Sequence, residues 1–195
     1  DFLSLPAVSQ DKSKYTLSYF GALYAKRSLK WLLKALKDLQ KENKLPPNFS
    51  LHLYGNYHIE TLQEIKQSGI EEMVKIIPQL SHQEAISAML SSDALLLLIN
   101  SDSPKGTLTS KVFEYLRTGK PILALVPQNG EAGKLLQESG QNYICPMESV
   151  SAIKICAEKL FADREKELKF HYPEDKYERR KQVEELNKKL LSVAR

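Results

Sequence analysis

The chain has 195 residues, of which 42% are hydrophobic and 27% charged, with a formal net charge of +4. This is the composition of a globular domain of substantial size, and it excludes disordered and fibrous classes. No apolar run approaches the ~20 residues that would span a bilayer, and two cysteines, Cys145 and Cys156, are too few for a disulfide framework or a zinc site.

Taken in order, the N-terminal "DFLSLPAVSQDKSK" lacks the basic-then-apolar layout of a signal peptide and reads as a linker. "YTLSYF" (15–20) is a β-rich run ending at Gly21. "KRSLKWLLKALKDLQKEN" carries Leu29, Leu32, Leu33, Leu36 and Leu39 at helical spacing, so a helix is predicted to begin near Arg27. "FSLHLYG" (49–55) alternates with period two. "HIETLQEIKQSG" is a helix with a glycine stop, and "MVKIIP" (73–78) a strand. Ser81 and Glu84 form a capping-box pattern that opens the next helix. "ALLLLIN" (94–100) is apolar throughout, as in the centre of a parallel sheet. After the loop "SDSPKGTLT" a helix runs to Gly119, and Pro121 starts the strand "PILALV". "GEAGKLLQESG" is a helix, "NYIC" a short strand and "ESVSAIKICAEKLFA" a helix. A last helix is predicted over about 174 to 194, with Tyr177, Val183, Leu186, Leu190 and Leu191 as an apolar stripe. That stripe fits packing on its own domain and packing on a second domain equally well.

Strands alternating with helices imply a doubly wound, Rossmann-like parallel sheet of about six strands with helices on both faces, plus a C-terminal helix. In the commonest order, 3-2-1-4-5-6, strands one and four are neighbours, and ligands bind in the crevice beyond their carboxyl ends. The loops bordering that crevice are "GALYAKR" and "NSDSPKGTLTSK". The basic residues of "KRSLKWLLKALKDLQKENK" and "DKYERRKQVEELNKK" are mixed with acids, which describes solvated helix faces rather than a nucleic-acid surface. The second stretch also suits an anionic membrane surface or a partner domain.

Within "TLTSKVFEYLRTGKP", Lys111 falls in the first turn of a helix whose N-cap is Thr109 or Ser110. Free N–H groups and the dipole already make that end electropositive, so a lysine there costs a few tenths of a kcal/mol on the ~0.3–1 kcal/mol scale of such effects, unless an anion offsets it. Glu114, three residues on, is in the weaker order for a surface ion pair. Two readings stand: such a pair, or a cation for a phosphate group with a carboxylate able to accept two vicinal hydroxyls. Arg27 has the same two readings, a solvated helix end or a guanidinium fork for phosphate oxygens near Gly21, where a ligand can approach the backbone. Neither GxGxxG nor a Walker loop is present.

"YFGALYAKRSLKWLLKAL", "LHLYG", "VKIIPQLSHQEAISAMLSSDALLLL" and "TSKVFEYLRTGKPILALV" together resemble the C-terminal half of GT-B glycosyltransferases of the family 4, or group 1, type, over roughly residues 15–145. The resemblance implies that this half binds a nucleotide-sugar donor, while an absent N-terminal domain of the same protein holds the acceptor. It implies that residues 1–14 are the linker from that domain, that 15–163 form the nucleotide-sugar-binding domain, and that 164–195 form a C-terminal helical extension. It makes Gly21 the loop glycine beside the donor phosphates, Arg27 and Lys111 the catalytic cations at the diphosphate, and Glu114 the ribose ligand. By the same resemblance Gln79 and Leu80 match the segment that lies against the base, and Thr109 and Ser110 would supply contacts at a helix N-terminus. The sequence departs from the family at Ala22, often arginine, and at Gly106, where many members carry a second glutamate facing the sugar; Asp102 is the candidate substitute.

The expectation is therefore a retaining glycosyltransferase half that uses a nucleotide-diphosphate sugar as donor and requires neither metal nor other cofactor. It is cytoplasmic, with contact between the full-length protein and the inner face of the membrane left open. The alternatives are a GT-B-fold sugar-nucleotide epimerase and a non-catalytic nucleotide-binding or interaction domain.

Overall fold

In the computed structural model, which describes residues 13–23, 27–172 and 179–193, strands and helices alternate along the chain. The strands are β1 (Tyr15–Phe20), β2 (Phe49–Tyr54), β3 (Val74–Ile77), β4 (Ala94–Leu98), β5 (Ile122–Leu125) and β6 (Ile144–Cys145). The helices are α1 (Lys30–Lys41), α2 (Ile59–Ser68), α3 (His82–Ser91), α4 (Ser110–Arg117), α5 (Glu131–Glu138), α6 (Val150–Ala162) and α7 (Arg179–Val193). The six strands form one sheet in the order β3-β2-β1-β4-β5-β6, every neighbouring pair parallel, which is the expected doubly wound arrangement.

The packing explains why β4 is apolar at every position. On one face, Leu17, Leu51, Leu96 and Leu98 pack with Leu32 and Leu36 of α1 and Ile153 and Leu160 of α6. On the other, Leu95 and Leu97 pack with Val112 and Leu116 of α4 and Leu135 and Leu136 of α5. Every residue of β4 is buried, and removing any one of its leucines to alanine would cost about 2–5 kcal/mol. β2, nearer the edge, alternates buried and half-buried residues instead.

The C-terminal end of α2 and the start of α3 follow the local chemistry, and the start of α1 does not. Gly69 closes α2 in the left-handed region at φ 71°, and the Ser81–Glu84 capping box opens α3. Helix α1 starts at Lys30 and not near Arg27. Glu64 of α2 accepts hydrogen bonds from Ser28 Oγ at 2.7 Å and from the Leu29 amide at 3.0 Å. A carboxylate from a neighbouring helix thus does the work of an N-cap and leaves Arg27 in the preceding loop. β3 begins at Val74 because Met73 belongs to a 3-10 turn, Glu71–Met73. For the last helix, residues 173–178, Tyr177 among them, lie outside the described residues, as do the linker residues 1–12. Val183, Leu186, Leu190 and Leu191 of α7 are exposed rather than packed on the sheet.

Candidate functional site

The crevice at the carboxyl ends of β1 and β4 is built from backbone first. β1 is followed directly by Gly21, whose φ of 107° is open to glycine and strained for other residues. Its amide donates to the Tyr54 carbonyl at 2.8 Å, and the Gly55 amide donates to the Ile77 carbonyl at 2.9 Å, so the ends of β1, β2 and β3 are tied in sequence. Gly55 allows this close approach: a Cβ there would stand 3.0 Å from the Gly21 carbonyl oxygen.

From the other side, α4 is fixed by Tyr115. Its buried hydroxyl accepts a hydrogen bond from the Phe20 amide at 3.1 Å, joining the helix to the last residue of β1. That registration brings Lys111 across the crevice. A Cβ built on Gly21 would lie 2.9 Å from both Cε and Nζ of Lys111, and the ammonium stands 5.6 Å from the centre of the Tyr19 ring.

A cleft of about 520 Å³ opens here, and Gly21, Gln79, Leu80, Lys111 and Glu114 all line it. The structure therefore brings five of the sequence-predicted residues to one cavity. Lys111 and Glu114 make no ion pair, and α4 has no acidic residue in its first turn, so among the described residues the ammonium has no carboxylate partner at the positive end of the helix. Burial holds the Lys111 pKa below the ordinary lysine value; Arg27 adds to the depression and Glu114 opposes it.

The other predicted residues stand elsewhere. Arg27 lines an adjoining cleft of about 230 Å³ with Leu23, His58 and Glu64; it acts on Lys111 through charge and does not line the larger cavity. Asp102 is exposed in the loop after β4 and does not line the cleft. Thr109 is the N-cap residue of α4 by position, but its side chain makes no capping bond, and among the described residues its buried Oγ1, like Oδ1 of Asn100, has no hydrogen-bond partner. Ser110 is the exposed first residue of α4. A Cβ at Gly106 would meet nothing within 4 Å.

Sequence reasoning missed the floor of the cleft. Phe20 and Tyr54 stack with ring centres 4.4 Å apart and planes 2° from parallel, and both line the cavity with Ala85 and Met89 of α3, Asn56 and His82. The signal was available: with Phe49, Leu51 and Leu53 facing one side, period two turns Tyr54 to the other. Among the described residues no group of three His, Cys, Asp or Glu side chains is disposed as metal ligands. Among the same residues, no helix is long and apolar enough to cross a membrane.

Comparison with known proteins agrees with the fold. In overall fold the chain is similar to Anabaena HepE, solved with UDP and glucose, at a TM-score of 0.55 and 21% identity over 78% of this chain and 41% of that one. It is similar to sucrose-phosphate synthase from Thermosynechococcus elongatus at a TM-score of 0.59 and 14% identity, over 83% of this chain and 38% of that one. It is also similar to the C-terminal domain of the group 1 family protein LpcC from Francisella tularensis, at a TM-score of 0.58 and 15% identity over 76% of each chain. The chain thus spans well under half of the first and second of these proteins. No curated protein matches it in sequence. The model of the family described as glycosyl transferases group 1 matches residues 5–177, and on that match the chain belongs to the group 1 glycosyltransferase family.

Proposed function

We propose that this chain is the donor-binding half of a glycosyltransferase and that the cleft beside Gly21 takes a nucleotide-diphosphate sugar. The single observation that carries the reading is that a half-buried Lys111 ammonium and the Glu114 carboxylate, neither in an ion pair with the described residues, share one wall of a cavity at the switch point. A diphosphate supplies the missing negative charge, and vicinal ribose hydroxyls supply donors for the carboxylate. UDP in the HepE structure supports the same choice of ligand class.

In this reading Lys111, with Arg27 acting from the adjoining loop, stabilises the charge that grows on the leaving nucleoside diphosphate. Gly21 lets the phosphates approach the backbone, and Gln79 and Leu80 meet the base. Thr109 and Ser110 belong to the helix start behind the phosphates, and Asp102 stands beyond the cavity as the candidate sugar contact. The neutralising charge comes from these side chains, so diphosphate affinity should withstand EDTA. Residues 15–163 form the donor unit and 164–195 the extension. The acceptor is held by a separate N-terminal domain of the full-length protein, which works in the cytoplasm.

Calorimetric titration of the 195-residue chain with UDP, GDP and ADP tests the reading. One of the three should bind with a dissociation constant below a millimolar, and its nucleoside more weakly. No binding of any at millimolar concentration would overturn the donor site.

A further inference from the structure

Two successive carbonyls of the loop leaving β1 are held by tyrosine hydroxyls. The Tyr57 hydroxyl donates to the Gly21 carbonyl at 3.1 Å, and the Tyr19 hydroxyl donates to the Ala22 carbonyl at 3.1 Å. Tyr57 comes from the loop after β2 and is half-buried; Tyr19 lies in β1 and is fully buried. The Gly21 amide is occupied by the Tyr54 carbonyl. The next two amides, of Ala22 and Leu23, make no hydrogen bond with the described residues.

Peptide planarity connects these facts. In a trans peptide the N–H points opposite to the C=O of the same unit. Holding the Gly21 carbonyl against Tyr57 therefore turns the Ala22 N–H away from β2, and holding the Ala22 carbonyl against Tyr19 fixes the direction of the Leu23 N–H. Ala22 lines the main cleft and Leu23 the adjoining one that contains Arg27. The two residues with unspent donors thus border the clefts that Lys111 and Arg27 line, and Leu23 is itself buried.

The arrangement needs something to hold it. Gly21 has no Cβ, so its peptide units can rotate at little steric cost. A rotation there would turn a carbonyl oxygen toward the cleft, and a carbonyl dipole repels an anion. A tyrosine hydroxyl on each of two successive carbonyls blocks that rotation. Donors fixed before the ligand arrives need no reorganisation when negative charge develops beside them.

We propose that Tyr19 and Tyr57 are positioning residues for a diphosphate: their hydroxyls hold the Gly21 and Ala22 carbonyls back and so present the Ala22 and Leu23 N–H groups to the anion beside Lys111. The identity of the anion rests on the donor-site reading; the cradle itself does not. The two tyrosines touch the loop and not the ligand.

Inorganic pyrophosphate is the probe, titrated into the isotope-labelled chain while backbone amide resonances are followed. In the unaltered chain the Ala22 and Leu23 amide protons should move downfield. Tyr19→Phe and Tyr57→Phe should each weaken pyrophosphate at least threefold and shrink those shifts, with nucleoside affinity unchanged. Tyr143→Phe, which removes a hydroxyl bonded to Asp163 instead, should leave both unchanged. Amides of Ala22 and Leu23 that stay still while pyrophosphate binds, or phenylalanine variants that bind it as tightly as the parent, would overturn the inference. A chain that binds no pyrophosphate overturns it as well. The unaltered chain alone decides the amide shifts, so a variant that fails to fold does not rescue the idea. Shifts at both amides with no nucleoside diphosphate binding more tightly than pyrophosphate would keep the cradle and remove the donor reading.

Discussion

The Lys111 side chain occupies the space that a side chain at position 21 would need, with Cε and Nζ both 2.9 Å from where a Gly21 Cβ would stand. The lysine from α4 and the glycine that follows β1 are therefore one unit. Gly21→Ala should act twice. Its φ of 107° is strained for an L residue, at a cost of about 1–3 kcal/mol, and the new methyl must push Lys111 aside. Thermal melting should show the first effect, and a loss of diphosphate affinity exceeding the loss of nucleoside affinity the second. A variant that melts and binds as the parent does would show that Lys111 moves freely and that the contact has no role.

Tyr115 sets the register of α4 against β1 through one hydrogen bond. Tyr115→Phe leaves the ring in place and strips the Phe20 amide of its acceptor in a buried position. An unsatisfied buried donor costs about 1–3 kcal/mol, so the chain should unfold at lower denaturant concentration with an unchanged slope. A midpoint equal to the parent's would mean that the amide finds another acceptor and that the registration is made by packing.

The strand order came from the commonest doubly wound topology, which strands alternating with helices call for, and β4, apolar at every position, was legible as a central strand. Gly21, Lys111 and Glu114 could be found as a group because chain reversal at β1 and β4 puts their two loops at one crevice. Arg27 was misplaced for a tertiary reason: the α1 start depends on Glu64, 35 residues from the Leu29 amide it accepts, and no local pattern encodes that. The Phe20–Tyr54 floor went unread because an aromatic at a strand end looks like core until its neighbour's face is known.

The Lys111 ammonium has a pKa below its ordinary 10.5, with burial as the main cause. Its charged form is thus disfavoured in the fold relative to the unfolded chain. The penalty is present while the group is charged in both states, and it is relieved as pH rises through the folded pKa toward the unfolded value. Stability should accordingly gain with pH on the alkaline side, and Lys111→Ala should lose that gain while being no less stable near pH 7. A bound diphosphate reverses the preference, so binding in the alkaline range should take up a proton. Calorimetry in two buffers of different ionisation enthalpy measures that uptake directly. Uptake that persists in Lys111→Ala would assign it to another group.

Glu114 offers the test that separates ribose recognition from simple charge balance. Its carboxylate lines the cleft and forms no ion pair with the lysine one turn away. If it accepts from two vicinal hydroxyls, Glu114→Gln replaces one of its acceptor oxygens with a donor of the same shape. Hydrogen bonds to a charged partner contribute about 1.5–3 kcal/mol, so the parent should prefer a ribonucleoside diphosphate over its 2′-deoxy analogue by roughly tenfold or more, and Glu114→Gln should lose most of that preference. The charge argument predicts otherwise: removing a carboxylate from beside an anion should strengthen binding of both analogues alike. A parallel rise in affinity with the preference intact would therefore make Glu114 an electrostatic neighbour of Lys111 and not a ribose ligand.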